Sequence, residues 1–151
     1  MANIDLTKLK QLREETAASV SDCRRALEES NGDYKKALAW LKTRSAEKAE
    51  KKEGRETGEG LVHAYIHQNG KIGAMVEVLC ETDFVARTDD FKILVHEVAM
   101  QVAAMDPKDV ATLLQQEYIK DTSVTIERLV KQTIGKLGEN ITVKRFQRFS
   151  I

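Results

Sequence analysis

Only a few residues of this chain have the types and spacing that chemistry needs. His63 and His67 lie in the alternating stretch Val62-His63-Ala64-Tyr65-Ile66-His67. On a strand that advances about 3.3 Å per residue, they stand roughly 13 Å apart, too far to share one ion. Cys23 and Cys80 have no C-x-x-C spacing, and each falls on an apolar stripe, so both read as core thiols of a reducing compartment. No Gly-x-Ser-x-Gly elbow, phosphate-cradling glycine loop or His-Glu-x-x-His helix occurs. The sequence therefore assigns no metal, no cofactor and no catalytic residue, and an enzyme that makes or breaks bonds is not expected.

Two stretches remain. Lys144-Arg145-Phe146-Gln147-Arg148-Phe149 interleaves bases with aromatics, as single-strand nucleic-acid binders do. The same pattern suits an edge strand with charges outward and Phe146 inward, where the charges discourage strand-on-strand pairing. The other stretch is Cys80-Glu81-Thr82-Asp83-Phe84-Val85-Ala86-Arg87, where an acid and a large aromatic meet at a strand-to-helix junction. Thr82 or Asp83 can cap the helix with Phe84 in the core, or Asp83-Phe84 can point at a partner. The pattern leaves both open.

Composition narrows the classes. The 151 residues (17.0 kDa) fit one domain, or a small module plus a modest core. Lys+Arg and Asp+Glu are both 24, so the chain lacks the basic excess typical of proteins that live on nucleic acid. No run approaches the roughly 20 apolar residues of a membrane span. The start, Met1-Ala2-Asn3-Ile4-Asp5, has neither a signal-peptide apolar region nor an arginine-rich transit pattern, which predicts a cytoplasmic location.

The elements that must carry these residues follow from periodicity. Residues 1–43 predict three short helices: Asp5 caps the first, with Leu6, Leu9 and Leu12 inward. Ser19 with Asp22 has capping-box spacing before the stripe Val20, Cys23, Ala26 and Leu27. Asn31-Gly32 stops the second helix, and Asp33 caps a third with Tyr34, Ala37, Leu38 and Leu41 on one face. Residues 44–60 are a charged linker whose first half suits a solvated helix, with Glu47 to Lys51 as an i,i+4 pair. Residues 61–151 then read as an α+β core, β-β-α-α-α-β, with helices covering one face of a three-stranded antiparallel sheet. Asn69-Gly70 predicts a two-residue type I′ hairpin turn. Ile72, Ala74, Val76, Val78 and Cys80 share one strand face. A long helix from Thr88 carries Phe91, Leu94, Val95, Val98, Val102 and Met105. Asp106-Pro107 is expected to cap and open the next helix, with Val110, Leu113, Leu114 and Tyr118 inward. A last helix follows Thr122-Ser123 with Ile126, Leu129, Val130, Ile134 and Leu137 buried, closed by Gly138 before a strand from Ile141.

Three stretches in this order resemble the translation elongation factor Ts family. They are Leu12-Arg13-Glu14-Glu15-Thr16 with Asp22-Cys23-Arg24-Arg25-Ala26-Leu27 and Asn31-Gly32-Asp33; Glu81-Thr82-Asp83-Phe84-Val85-Ala86; and Gly138-Glu139-Asn140-Ile141 with Val143 and Arg145-Phe146. The resemblance implies a ubiquitin-associated-like (UBA-like) N-terminal module. It also implies a guanine-nucleotide exchange factor that binds the GTPase elongation factor Tu, both GDP-bound and nucleotide-free, and disturbs its Mg²⁺/phosphate site. Carried over, Arg13 and Val20 touch the GTPase, and Asp83 and Phe84 intrude, flanked by Thr82 and Val85. Leu137 and Gly138 lie beside them. The family commonly has Gly-Ala-Gly and two methionines where this chain has Ala17-Ala18-Ser19 and Val20-Ser21. Longer relatives add a second core half, a helical hairpin and a C-terminal module, and short ones dimerise, so a homodimer is implied. Neither nucleic acid nor membrane is an expected partner. An RNA-binding accessory protein using the 144–149 strand is the alternative.

Overall fold

In the computed structural model, residues 4–151 are described; Met1, Ala2 and Asn3, part of the N-terminal stretch read above, lie outside them. Three helices come first: α1 (Leu6–Thr16), α2 (Val20–Glu29) and α3 (Tyr34–Glu50). Their caps are those the sequence predicts. Asp5 accepts from the Thr7 and Lys8 amides, Ser19 from Asp22 and Asp33 from Lys36, satisfying amides that have no partner within the helix. Leu12, Cys23, Ala26, Leu27, Ala37 and Leu41 form a small core of their own. Leu6 does not join it: α1 turns that residue outward, 77 % exposed.

Helix α3 does not end where the apolar residues thin out. It runs on to Glu50, and Ala49, only 3 % exposed, is buried in the main core. The charged first half of the 44–60 stretch is thus partly packed rather than solvated all round. Glu47 pairs with Arg44 at 3.8 Å instead of with Lys51.

The main core is built on a three-stranded antiparallel sheet in the order β1 (Glu59–Ile66), β2 (Ile72–Cys80), β5 (Ile141–Ser150). Ala74, Val76, Val78 and Cys80 are buried on one face, as alternation predicts. Across from them, β1 turns Leu61, His63 and Tyr65 toward the helices and leaves Val62 and Ile66 outside. The open face therefore carries Val62, Ile66, Met75 and Phe149, all more than half exposed. The hairpin turn is not type I′. Gly70 alone takes positive φ (70°), its amide bonds to the His67 carbonyl, and the loop is wider than two residues.

Helix α4 (Asp83–Ala86) is a single turn, and α5 (Asp89–Met105), capped by Thr88, lies across the sheet with Phe91, Leu94, Val95, Val98 and Val102 buried. Met105 is half exposed. Asp106 is not the next cap. It sits in the left-handed region (φ 46°) closing α5, and α6 (Val110–Gln115) starts later, capped by Asp109. Tyr118 then lies in a strand rather than a helix. β3 (Glu117–Tyr118) and β4 (Asp121–Thr125) form a small hairpin, and α7 (Ile126–Leu137) begins only after the Thr125 cap. Gly138, at φ 79°, closes α7 as expected.

Helices α3 and α7 cross closely at Gly135. A Cβ there would lie 1.9 Å from Ser45 Oγ, so only glycine permits this approach.

Candidate functional site

The junction after β2 is where the acid and the aromatic separate from the core. Thr82 caps α4 from an extended backbone, with Oγ1 accepting the Val85 amide at 3.4 Å. One turn of helix then sorts its residues by face. Ala86 is 5 % exposed and Val85 packs against the core, while Phe84 stands 77 % exposed. Asp83 is held by Arg87 one turn on, with Arg87 Nη2 donating to Oδ2 at 2.7 Å. The cap reading is right for Thr82. The core reading is wrong for Phe84, because the turn already buries its two small or branched residues and has only one inward face.

Behind the turn lies a polar clamp that periodicity did not reveal. The Thr82 amide and hydroxyl both donate to Glu139, at 2.9 and 2.7 Å. In return the Asn140 amide donates to Glu81 at 2.7 Å, and Asn140 Nδ2 donates to the Arg55 carbonyl at 2.9 Å. Arg55 also stands 3.7 Å from Glu81. The Glu139-Asn140 pair directly after the helix-closing Gly138 was the available signal, but its bonding partners lie far away in the chain, at Glu81, Thr82 and Arg55. Cys80 Sγ, fully buried, donates to the Thr82 carbonyl at 3.1 Å. Burial, and then the nearby Glu139 carboxylate, push its thiol up to about 11.

The structure thus brings Thr82, Asp83, Phe84 and Val85 to the same end of the molecule as Leu137 and Gly138. Leu137 packs on the core, and the Gly138 carbonyl accepts Lys52 Nζ at 2.9 Å. Arg13 and Val20 sit elsewhere, on α1 and α2 of the helical unit. Arg13 is exposed, and Val20, at 48 % exposure, opens α2 without joining its core.

The other candidates look different in three dimensions. His63 is not isolated: its Nε2 lies 3.1 Å from His96 Nδ1, and burial followed by the second imidazole holds it below the usual histidine range. His67 meets the Tyr65 hydroxyl at 3.2 Å. Among the described residues, no three His, Cys, Asp or Glu side chains gather as a metal site. In the last strand, Arg145 pairs with Glu77, and Arg148 donates to the Ala103 carbonyl at 3.0 Å. Phe146 is half-buried against the core and Phe149 is exposed. Lys144 is the extra residue where the β2–β5 register shifts. Among the described residues, no helix is long and apolar enough to cross a membrane.

The fold and this turn define an α+β protein that displays an exposed aromatic from a clamped strand-to-helix junction. The comparisons specify the class. Residues 81–151 match the family model described as elongation factor TS. The elongation factor Ts of Coprothermobacter proteolyticus is 42 % identical over 98 % of this chain and 98 % of its own length. That of Rippkaea orientalis is 43 % identical over 99 % of this chain and 78 % of its own. The chain belongs to the elongation factor Ts family, and with it to the translation elongation factors. Those two alignments run to 193 and 195 positions, longer than this 151-residue chain, so the relatives carry internal residues that it lacks.

Proposed function

We propose that this chain is a guanine-nucleotide exchange factor for elongation factor Tu. It binds the GDP-bound and nucleotide-free GTPase and promotes GDP release by disturbing the Mg²⁺/phosphate site. The exposure of Phe84 carries the reading: a large aromatic held in water by a short, anchored turn is a contact residue without an intramolecular partner. Aromatic anchors dominate interface energy, and the Asp83 carboxylate beside it bears on groups that support a metal. Arg13 and Val20, both exposed on a UBA-like unit, form a second docking surface; Thr82 and Val85 seat the pair, and Leu137 and Gly138 flank it. Coupling is reciprocal, so whatever weakens nucleotide binding on docking lets nucleotide weaken docking equally.

No bond is made or broken by the factor itself, and neither cofactor nor resident metal enters the cycle. It works in the cytoplasm, as a homodimer whose interface is the open sheet face bearing Val62, Ile66, Met75 and Phe149. The RNA-binding alternative is weakened because the Arg148 side chain, only 17 % exposed, donates to the Ala103 carbonyl within the chain. Stopped-flow release of a fluorescent GDP from elongation factor Tu tests the reading. Acceleration by the native chain, reduced at least about tenfold in Phe84→Ala with an unchanged melting temperature, is expected. No acceleration by the native chain overturns it.

A further inference from the structure

We infer that Glu139 is a positioning residue for exchange, holding the Asp83-Phe84 turn in its outward pose; this rests on the exchange reading above. Helix α4 has four residues, and its backbone bonds are long: Ala86 to Thr82 at 3.3 Å and Arg87 to Asp83 at 3.2 Å. A single turn is not stable by itself, since nucleation fixes several residues for one bond. Its orientation must be imposed from outside.

Two grips supply it. On the C-terminal side, Val85 and Ala86 pack on the core and Thr88 Oγ1 donates to the Val85 carbonyl at 2.7 Å. On the N-terminal side the Cys80 thiol, a weak donor, reaches only the Thr82 carbonyl, at 3.1 Å. There the grip is Glu139, whose two carboxylate oxygens take both Thr82 donors, one each. A two-point bond to a charged acceptor fixes direction as well as distance.

Glu139 is itself held still. It stands between Gly138, whose left-handed backbone ends α7, and Asn140, which is buried and bonded to Glu81 and Arg55. The two segments exchange bonds reciprocally: the carboxylate of residue 139 takes the amide of residue 82, and that of residue 81 takes the amide of residue 140. Phe84 leaves the backbone two residues beyond this lock. With the lock gone, the ring samples a cone of directions. An interface that needs one of them then loses preorganisation rather than contact area.

The test uses the full chain with elongation factor Tu and reads two quantities: the maximal GDP-release rate at saturating factor, and the concentration giving half of it. Glu139→Ala lowers the maximal rate about tenfold or more and moves the half-saturating concentration much less. Glu139→Gln restores most of the rate, because its amide oxygen takes the Thr82 N–H and its amide N–H reaches Thr82 Oγ1. In a Phe84→Ala background, Glu139→Ala has no further effect, since both act through one ring. Should Glu139→Ala not fold, Glu139→Asp, one methylene shorter, carries the same measurements.

A partner-free readout stands beside them. In chain labelled with 4-fluorophenylalanine, the Phe84 fluorine resonance shifts or broadens in Glu139→Ala and recovers in Glu139→Gln. A native maximal rate in Glu139→Ala, effects that multiply with Phe84→Ala, or an unmoved fluorine resonance overturns the inference. A native chain that accelerates nothing overturns the exchange reading instead, and leaves the fluorine experiment to decide the role of Glu139.

Discussion

Inside the core, one amide side chain, Gln101 on α5, is fully buried. Its Nε2 donates to the Glu117 carbonyl at 3.0 Å, and its Oε1 accepts the Ile119 amide at 3.1 Å, so one side chain stands in for a strand neighbour to the β3–β4 hairpin. Gln101→Leu removes both bonds, and because Glu117 and Ile119 are themselves exposed, the expected cost is about 0.5–1.5 kcal/mol per bond, read by urea denaturation. Nothing in the sequence marked Gln101, because a lone amide on an apolar stripe is indistinguishable from a surface residue until its partners are placed. His63 gives a second prediction. Its neutral form is favoured in the fold by burial, and His96 beside it adds to this; Tyr65 packs edge-on against His96. A depressed histidine binds fewer protons folded than unfolded. Its contribution is therefore present above the ordinary value of 6.5 and is lost as pH falls from there toward the lowered folded value. Unfolding free energy should drop between pH 7.5 and 5.5, and His63→Phe should flatten that drop; an unchanged slope would show that this pair is not responsible.

At the scale of elements, α3 is the member that ties two cores together. Its first half closes the helical unit through Ala37 and Leu41, and its last turns reach the main core through Ala49 and cross α7 at Gly135. A methyl at Gly135 would strike the Ser45 hydroxyl and stand 2.9 Å from the Ser45 carbonyl. Overpacking of this kind costs about 1–3 kcal/mol. Gly135→Ala should raise hydrogen exchange selectively in residues 45–50 while leaving α1, α2 and the sheet protected. The helices, the sheet strands and most caps were legible because 3.6 and 2.0 periodicities and Asp/Ser/Thr caps act locally. What escaped was set at a distance. The first half of the charged stretch reads as helix, but its burial depends on the crossing with α7, and the β3–β4 hairpin depends on Gln101. The Asp106 cap was misread because its left-handed backbone closes α5 rather than opening α6. Phe84 could be placed on its turn but not on a face, since a single turn has too few residues for a period to declare itself.

At the scale of the molecule, the sheet has one face filled by helices and one that, among the described residues, is open and carries exposed apolar side chains beside the Glu77–Arg145 ion pair. Val62, Ile66, Met75 and Phe149 cluster there, and β1 and β5 are its edges. A homodimer that buries this face predicts that Met75→Lys shifts the mass measured by light scattering from two chains to one, with little change in the far-ultraviolet signature of the fold. A single-chain mass for the native protein would exclude the dimer.

The two thiols, both free and both buried, lie one in each core: Cys23 in the helical unit, Cys80 directly behind the turn that carries Phe84. Burial raises the pKa of each, so a labelling reagent reaches a reactive thiolate only when the surrounding structure opens. The chain therefore contains its own pair of clocks. Under native conditions the labelling rate of Cys23 times the opening of the helical unit, and that of Cys80 times the release of the turn bearing Phe84. Adding the GTPase should slow whichever clock its docking surface covers.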